Sequence, residues 1–185
     1  MNSSPTYTAF AGTTRLASGQ LAAVAMAVKA AETAGASGSI LIYDDTTGHA
    51  IDLDTRGSTA EVAARYGATA EAEPRGRGRP KLGVVPREVT LLPRQWDWLA
   101  AQPGGASVTL RKLVEEARKR DGGKASRRAA LDAAYHFMSA MAGNLPHFED
   151  AIRALYADDR ATFARHIDGW PRDINGHALK MAYGV

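Results

Sequence analysis

Residues 88–120 read EVTLLPRQWDWLAAQPGGASVTLRKLVEEARKR, and the order of residue types in this stretch decides the fold. Glu88-Val89-Thr90-Leu91-Leu92 is rich in β-formers and has the length of one strand. Pro93 then stands where a helix tolerates proline best, at its first position, and Trp96 and Leu99 share the inner face of the helix predicted over 93–102. Pro103-Gly104-Gly105 has the composition of a turn. Ser107 is a capping residue, and behind it Leu110, Leu113, Val114 and Ala117 recur at helical spacing over 107–120. Strand, helix, turn and helix therefore follow in about 34 residues. Trp96 and Trp98 lie about 200° apart on a helix, so at most one turns inward and the other is left for an interface.

Around this stretch the chain is thin in core-forming residues. Of its 185 residues 45% are hydrophobic, yet 36 are alanine and only 33 are Leu, Ile, Val or Phe. A net charge of +3 removes the self-repulsion that accompanies disorder, so a folded, alanine-rich protein is expected. Small units of this kind bury little surface each and favour packing on one another or on a second copy. The charge is uneven. Residues 1–74 carry 4 basic and 8 acidic side chains, residues 75–128 carry 14 and 5, and residues 129–185 carry 5 and 7. A segment at +9 between two acidic flanks is the footprint of a polyanion-binding centre.

Several classes are excluded early. With no cysteine there is no disulfide framework, thiolate zinc site, iron–sulfur cluster or cysteine nucleophile. Met1 to Phe10 has no basic and apolar leader pattern. The longest apolar run, Leu21 to Val28, has eight residues where a membrane span needs about 18, so no membrane partner and a cytoplasmic location are expected.

Residues 1–66 read as a small α/β unit. Tyr7–Leu16 broken at Gly12 suits a hairpin, and Ser18 is placed to cap a helix whose inner face is Leu21, Val24, Ala25 and Val28, with Gly35 as its stop. Ile40–Tyr43 reads as a buried strand, Asp44–Gly48 as a hairpin loop and Ala50–Asp54 as its partner strand. Ser58-Thr59-Ala60-Glu61 is a capping box opening a short helix. Residues 67–83 form a basic flexible linker, 84–121 the strand-helix-helix segment, and 122–185 a helical C-terminal region with breaks at Gly122-Gly123, Gly143-Asn144, Asp158-Asp159 and Trp170-Pro171. The fold class is α+β.

Within the linker, Arg75, Arg77, Gly78, Arg79, Pro80 and Lys81 match the core of the AT-hook over about eight residues. Glycine lets extended backbone sit deep in a narrow minor groove, where arginine meets the enhanced negative potential of A·T tracts. The segment Arg87–Arg120 resembles the ribbon-helix-helix family of DNA-binding dimers. That resemblance implies that two strands pair across a dimer and lie in the major groove, with a phosphate held at the amides after Ser107, an arrangement the helix dipole favours. It implies a dimer core of Val89, Leu91, Trp96, Leu99, Leu110, Leu113 and Val114. Major-groove or phosphate contacts would fall to Arg87, Glu88, Thr90, Arg94, Ser107, Thr109, Arg111 and Lys112, and Arg118, Lys119, Arg120, Lys124, Arg127 and Arg128 continue the positive stripe. The groove-facing strand residues are Glu88, Thr90 and Leu92, or Arg87, Val89 and Leu91 with the opposite parity. Neither is the polar or basic trio of a base-reading ribbon, so the strand either reads bases or only dimerises.

From Thr8 to about Ala182, through Tyr7–Gly12, Tyr43–Gly57, Pro74–Val85, Glu88–Arg118 and Ala134–Pro146, the chain resembles a bacterial domain-of-unknown-function family (DUF 2239), which implies no mechanism. Asp44, Asp45, His49, Asp52 and Asp54 have the composition of a cation or acid–base site, but hairpin-loop and outward-strand positions account for the four aspartates. His136, His147, His166 and His177 are spaced by 11, 19 and 11, none of them the i, i+4 pair of a helical metal site. No metal, cofactor or catalytic residue is expected. The expectation is a homodimeric DNA-binding protein, a transcription regulator or nucleoid organiser on A·T-rich double-stranded DNA. The alternative is a protein-interaction or antitoxin-like module whose flanking domains bind a protein partner, and an enzyme or small-ligand sensor ranks last.

Overall fold

The structure is a computed structural model that describes residues 5–35, 38–67 and 87–184. These hold a mixed α+β fold with a small four-stranded antiparallel sheet and eight helices among the described residues. The chain divides into two compact units: Met1–Glu71 with Ser126–Val185, and Ala72–Ala125.

In the first unit β1 (Tyr7–Ala11) and β2 (Thr14–Gly19) form the hairpin expected at Gly12. Next come α1 (Leu21–Thr33), β3 (Ile40–Asp44), β4 (Ala50–Ile51) and α2 (Thr59–Gly67). The sheet order is β2-β1-β3-β4. Two features differ from expectation. Ser18 does not cap α1: it is the β2 partner of Thr8, and its Oγ lies 2.9 Å from Thr8 Oγ1, so sheet register takes it before the helix begins at Leu21. The strand expected over Ala50–Asp54 ends at Ile51, and farther on the Asp54 N–H donates to Tyr66 Oη at 2.7 Å while its carboxylate takes the Arg56 guanidinium. The capping box of α2 is present in both directions: Ser58 N–H donates to Glu61 Oε2 at 2.7 Å and Glu61 N–H to Ser58 Oγ at 3.3 Å.

Alternation along the strands gives the sheet two apolar faces. Ala9 and Ile42 pack with Val24 and Val28 of α1. Phe10 and Tyr43 point to the other side, into a core built with α5 (Lys124–Ala142), α6 (Phe148–Tyr156), α7 (Arg160–Ile167) and α8 (Arg172–Tyr183). Leu131, Ala134, Phe137, Met138, Leu155, Phe163, Ile167 and Ile174 fill that core, so the helical stripes of the C-terminal region are packing surfaces. The N-terminal α/β segment and the C-terminal helices thus share one hydrophobic core although about 60 residues separate them in sequence. Gly48, in the β3–β4 loop, has φ +72°, and a Cβ on it would stand 1.9 Å from the Ala133 carbonyl oxygen; the loop backbone rests directly on α5.

The second unit contains α3 (Pro93–Ala100) and α4 (Gly105–Asp121). Proline opens α3 as expected, and Gln95 Oε1 accepts the Leu92 N–H at 2.9 Å. The turn between them uses Gly104 at φ +89° and Gly105 at φ +71°, backbone that side-chain-bearing residues rarely adopt. Residues 87–92 carry no strand within the single chain. The strand expected over 88–92 is therefore not formed, since a run of β-formers has no ladder without a second strand beside it.

Candidate functional site

Between residues 87 and 121 the chain buries little of its own surface. Leu99 and Thr109 are buried, whereas Val89, Leu92, Trp96, Trp98, Leu113 and Val114 are exposed, at 39–58%. Only Leu41 and Tyr156 join them as exposed large hydrophobics among the described residues, so six of eight fall between residues 89 and 114. Monomers scatter such residues singly, and here they concentrate in one short segment.

The expected dimer-core residues are therefore divided: Leu99 is buried within the unit, Leu91 and Leu110 are half-buried, and Val89, Trp96, Leu113 and Val114 face outward. Trp96, expected inward with Leu99, is 40% exposed, because the short α3 lies on α4 through Leu99 alone among its buried residues.

Among the groove and phosphate residues, Arg87, Glu88, Thr90, Arg94, Ser107, Arg111 and Lys112 are exposed. Two placements change. α4 begins at Gly105 with Gly104 as its cap, so Ser107 lies inside the first turn and caps nothing; the unpaired first-turn amides shift forward to Ala106 and Ser107. Thr109 is buried, at 9% exposure, so it does not present the open side chain that a phosphate contact needs. Arg118 pairs with Glu115 at 3.5 Å, while Arg111, Lys112, Lys119 and Arg120 have no ion pair among the described residues. The stripe ends sooner than expected. Arg127 pairs with Asp158, donates to the Ala182 carbonyl and lies 4.6 Å over the Tyr183 ring, which makes it a clasp of the first unit. Arg128 is held by Asp132 at 3.1 Å. Arg75, Arg77, Gly78, Arg79, Pro80 and Lys81 lie outside the described residues.

The five residues of the N-terminal acidic cluster do not converge. Asp44 Oδ1 accepts the Thr46 N–H at 2.7 Å, closing the loop. Asp54 is held well below the usual carboxylate range by hydrogen bonds from the Arg56 side chain and backbone. His49 stacks on His136 with ring centroids 4.1 Å apart, and Asp52 is exposed.

Asp45 is the exception, since its side chain is only 8% exposed. Its Oδ1 stands 3.3 Å from Nε2 of the fully buried His177, without the alignment of a hydrogen bond, and its Oδ2 accepts from Lys180 Nζ at 3.3 Å and Thr6 Oγ1 at 3.1 Å. The His177 ring packs edge-on against Phe10 and Phe137 at 5.5 and 4.6 Å. Burial alone would raise the Asp45 pKa, but His177, Thr8 and Lys180 outweigh it and hold it at about 2. Sequence reasoning placed Asp45 in a loop and could not see His177, which lies 132 positions away. Walled by aromatic rings, this pair is a buried electrostatic tie between the β3–β4 loop and α8.

The profile of a bacterial family described as "Uncharacterized protein conserved in bacteria (DUF2239)" matches residues 6–182, and the chain belongs to that family. No curated protein and no solved structure matches the chain. Among the described residues no helix is long and apolar enough to cross a membrane.

Proposed function

Proceeding from membership of this bacterial family, we propose that the chain is a homodimeric DNA-binding protein, a transcription regulator or nucleoid organiser, in which residues 87–121 form the dimer and the phosphate-binding face. The observation that carries the reading is that exposed Leu113 and Val114 share α4 with unpaired basic residues, in a unit that also leaves Val89, Leu92 and Trp96 exposed. A segment with so little buried apolar surface gains stability from a second copy laid on its exposed side chains. Pairing of 88–92 across the two-fold axis would satisfy the backbone groups that have no ladder in one chain. Arg111, Lys112, Lys119 and Arg120 then supply duplex contacts, and phosphates dock near the α4 N-terminus. The arginines of 75–81 enter adjacent A·T-rich minor grooves, tethered at raised effective concentration.

The test is a fluorescence-anisotropy titration of the full chain on A·T-rich and G·C-rich duplexes of equal length over a salt series, with sedimentation to give the oligomeric state. Expected are a dimer, an A·T preference lost in Arg77→Ala with Arg79→Ala, and affinity that falls with salt. A monomer with no affinity for either duplex at low salt overturns the proposal, and the basic segment then becomes a tether between interaction surfaces.

A further inference from the structure

His147 and His166 stand 19 residues apart, yet the helical hairpin of α6 and α7 brings the start of one helix beside the end of the other. Their ring centroids are 5.9 Å apart. Asp150, in the first turn of α6, joins them, and one ligand atom from each of the three residues lies within 4.8 Å of the others. From this geometry we infer that His147, Asp150 and His166 form a surface site for a divalent transition-metal ion of the zinc class.

Three observations support it. The first is the donor set, since two imidazoles and one carboxylate suit zinc, nickel, copper or ferrous iron, whereas calcium and magnesium require oxygen cages. The second is orientation. Arg153 pairs with Asp150 Oδ1, while Oδ2 faces His147 Nδ1 at 3.7 Å; the carboxylate is fixed by one oxygen and presents the other, as outer hydrogen-bond partners do at metal centres. The third is backbone support on both sides of the cluster. Trp170 Nε1 donates to the Pro146 carbonyl at 2.8 Å, next to His147, and Asn175 Nδ2 donates to the Ile167 carbonyl at 2.7 Å, next to His166. His147 itself has φ +62°, a conformation uncommon for a residue with a side chain, and that backbone turns its imidazole toward Asp150.

A zinc–nitrogen bond is about 2.0–2.1 Å, so ligand atoms around one ion sit about 3.4 Å apart and the three side chains must draw in by about 1 Å. Most of that movement falls to His147, which is 66% exposed, toward the Oδ2 that Asp150 already presents. Three protein ligands leave at least one position for water or an exogenous ligand. His147 and Asp150 also line a shallow hollow of about 340 Å³ together with Asn144, Leu145, Phe148 and Glu149.

The experiment is a competition titration of Zn²⁺ against a chromophoric chelator with the untagged full chain. The comparison set is His166→Ala, His147→Asn and a His49→Asn, His136→Asn control, each checked for native circular dichroism. Asparagine tolerates the left-handed backbone at 147, so that variant removes the imidazole without the strain that alanine would add. The expected result is one Zn²⁺ per chain, affinity at least 10-fold weaker in either His147→Asn or His166→Ala, and no change in the control. Absence of stoichiometric binding by the parent chain overturns the site, and so does equal affinity in the parent and a folded His147→Asn. Loss confined to the His49, His136 control moves binding to the stacked pair and also overturns it.

Discussion

Replacing Asp45 by asparagine removes the charge that ties the β3–β4 loop to α8 while keeping the size of the side chain. The gap between the ordinary aspartate value of 3.8 and about 2 in the folded protein, at 1.36 kcal/mol per pH unit, amounts to about 2.4 kcal/mol. Little discount for solvent is needed, because the side chain is 8% exposed. Since the folded-state pKa is depressed, this stabilisation is fully present above about pH 4 and disappears as pH falls toward 2. Asp45→Asn should therefore lower unfolding free energy by about 2–3 kcal/mol at pH 7, with the difference from the parent chain closing between pH 4 and 2. Urea denaturation followed by Trp170 fluorescence is the assay, because Trp170 is buried in the first unit. Trp96→Phe and Trp98→Phe in the background silence the second unit. A difference that stays constant from pH 7 to pH 2.5, or one under about 1 kcal/mol at pH 7, would show that the Asp45 charge is not the source.

Gly48→Ala places a Cβ 1.9 Å from the Ala133 oxygen at φ +72°, so a loss of roughly 3 kcal/mol or more is expected in the same denaturation assay, and a neutral outcome would mean the loop does not rest on α5. Phe137→Ala empties the space between Phe10, Tyr43 and His177; roughly 3–5 kcal/mol should be lost, read as a lower urea midpoint for the first unit. Val114→Asp, on a side chain 58% exposed in the single chain, should leave helicity intact and shift sedimentation from dimer to monomer; an unchanged dimer would place the interface elsewhere. Lys112→Ala with Lys119→Ala should weaken binding to all duplexes alike and reduce the log–log salt slope by about 1 for each phosphate no longer neutralised.

Local rules read well where a residue's partner lies within a turn or two. Ser58 and Glu61 form the expected box, and Gly12, Gly35 and Gly143 sit where chain direction changes. The α4 boundary moved by two residues because Gly104-Gly105 themselves make the cap, which leaves Ser107 no task at the helix end. Ser18 misled for a different reason: a capping residue is equally good in a strand when its hydroxyl meets Thr8, and only sheet register chooses. Long-range pairings were not legible at all. An alanine-rich helix shows that it has an apolar face but not which element covers it, so the meeting of Phe10 with Phe137 leaves no local trace in the sequence. His147 and His166 illustrate the same limit, since ligands supplied by two helices carry no fixed spacing. Of the proposed DNA-binding surface, the two helices with the turn between them and the charge were visible in advance, whereas the outward placement of Trp96, Val89, Leu113 and Val114 was not, and the strand expected over 88–92 is absent.

The shared core of the first unit also sets a schedule for biosynthesis. Phe10 and Tyr43 leave the ribosome early, but His177 and Ala182, which complete their surroundings, are made more than 130 residues later. Until then the β-sheet has one face covered by α1 and the other bare. The nascent chain carries this aromatic surface while more than 130 further residues are made, and closure waits for α8 to be translated. Assembly of this core is therefore governed by α8, whatever the order in which the other elements form.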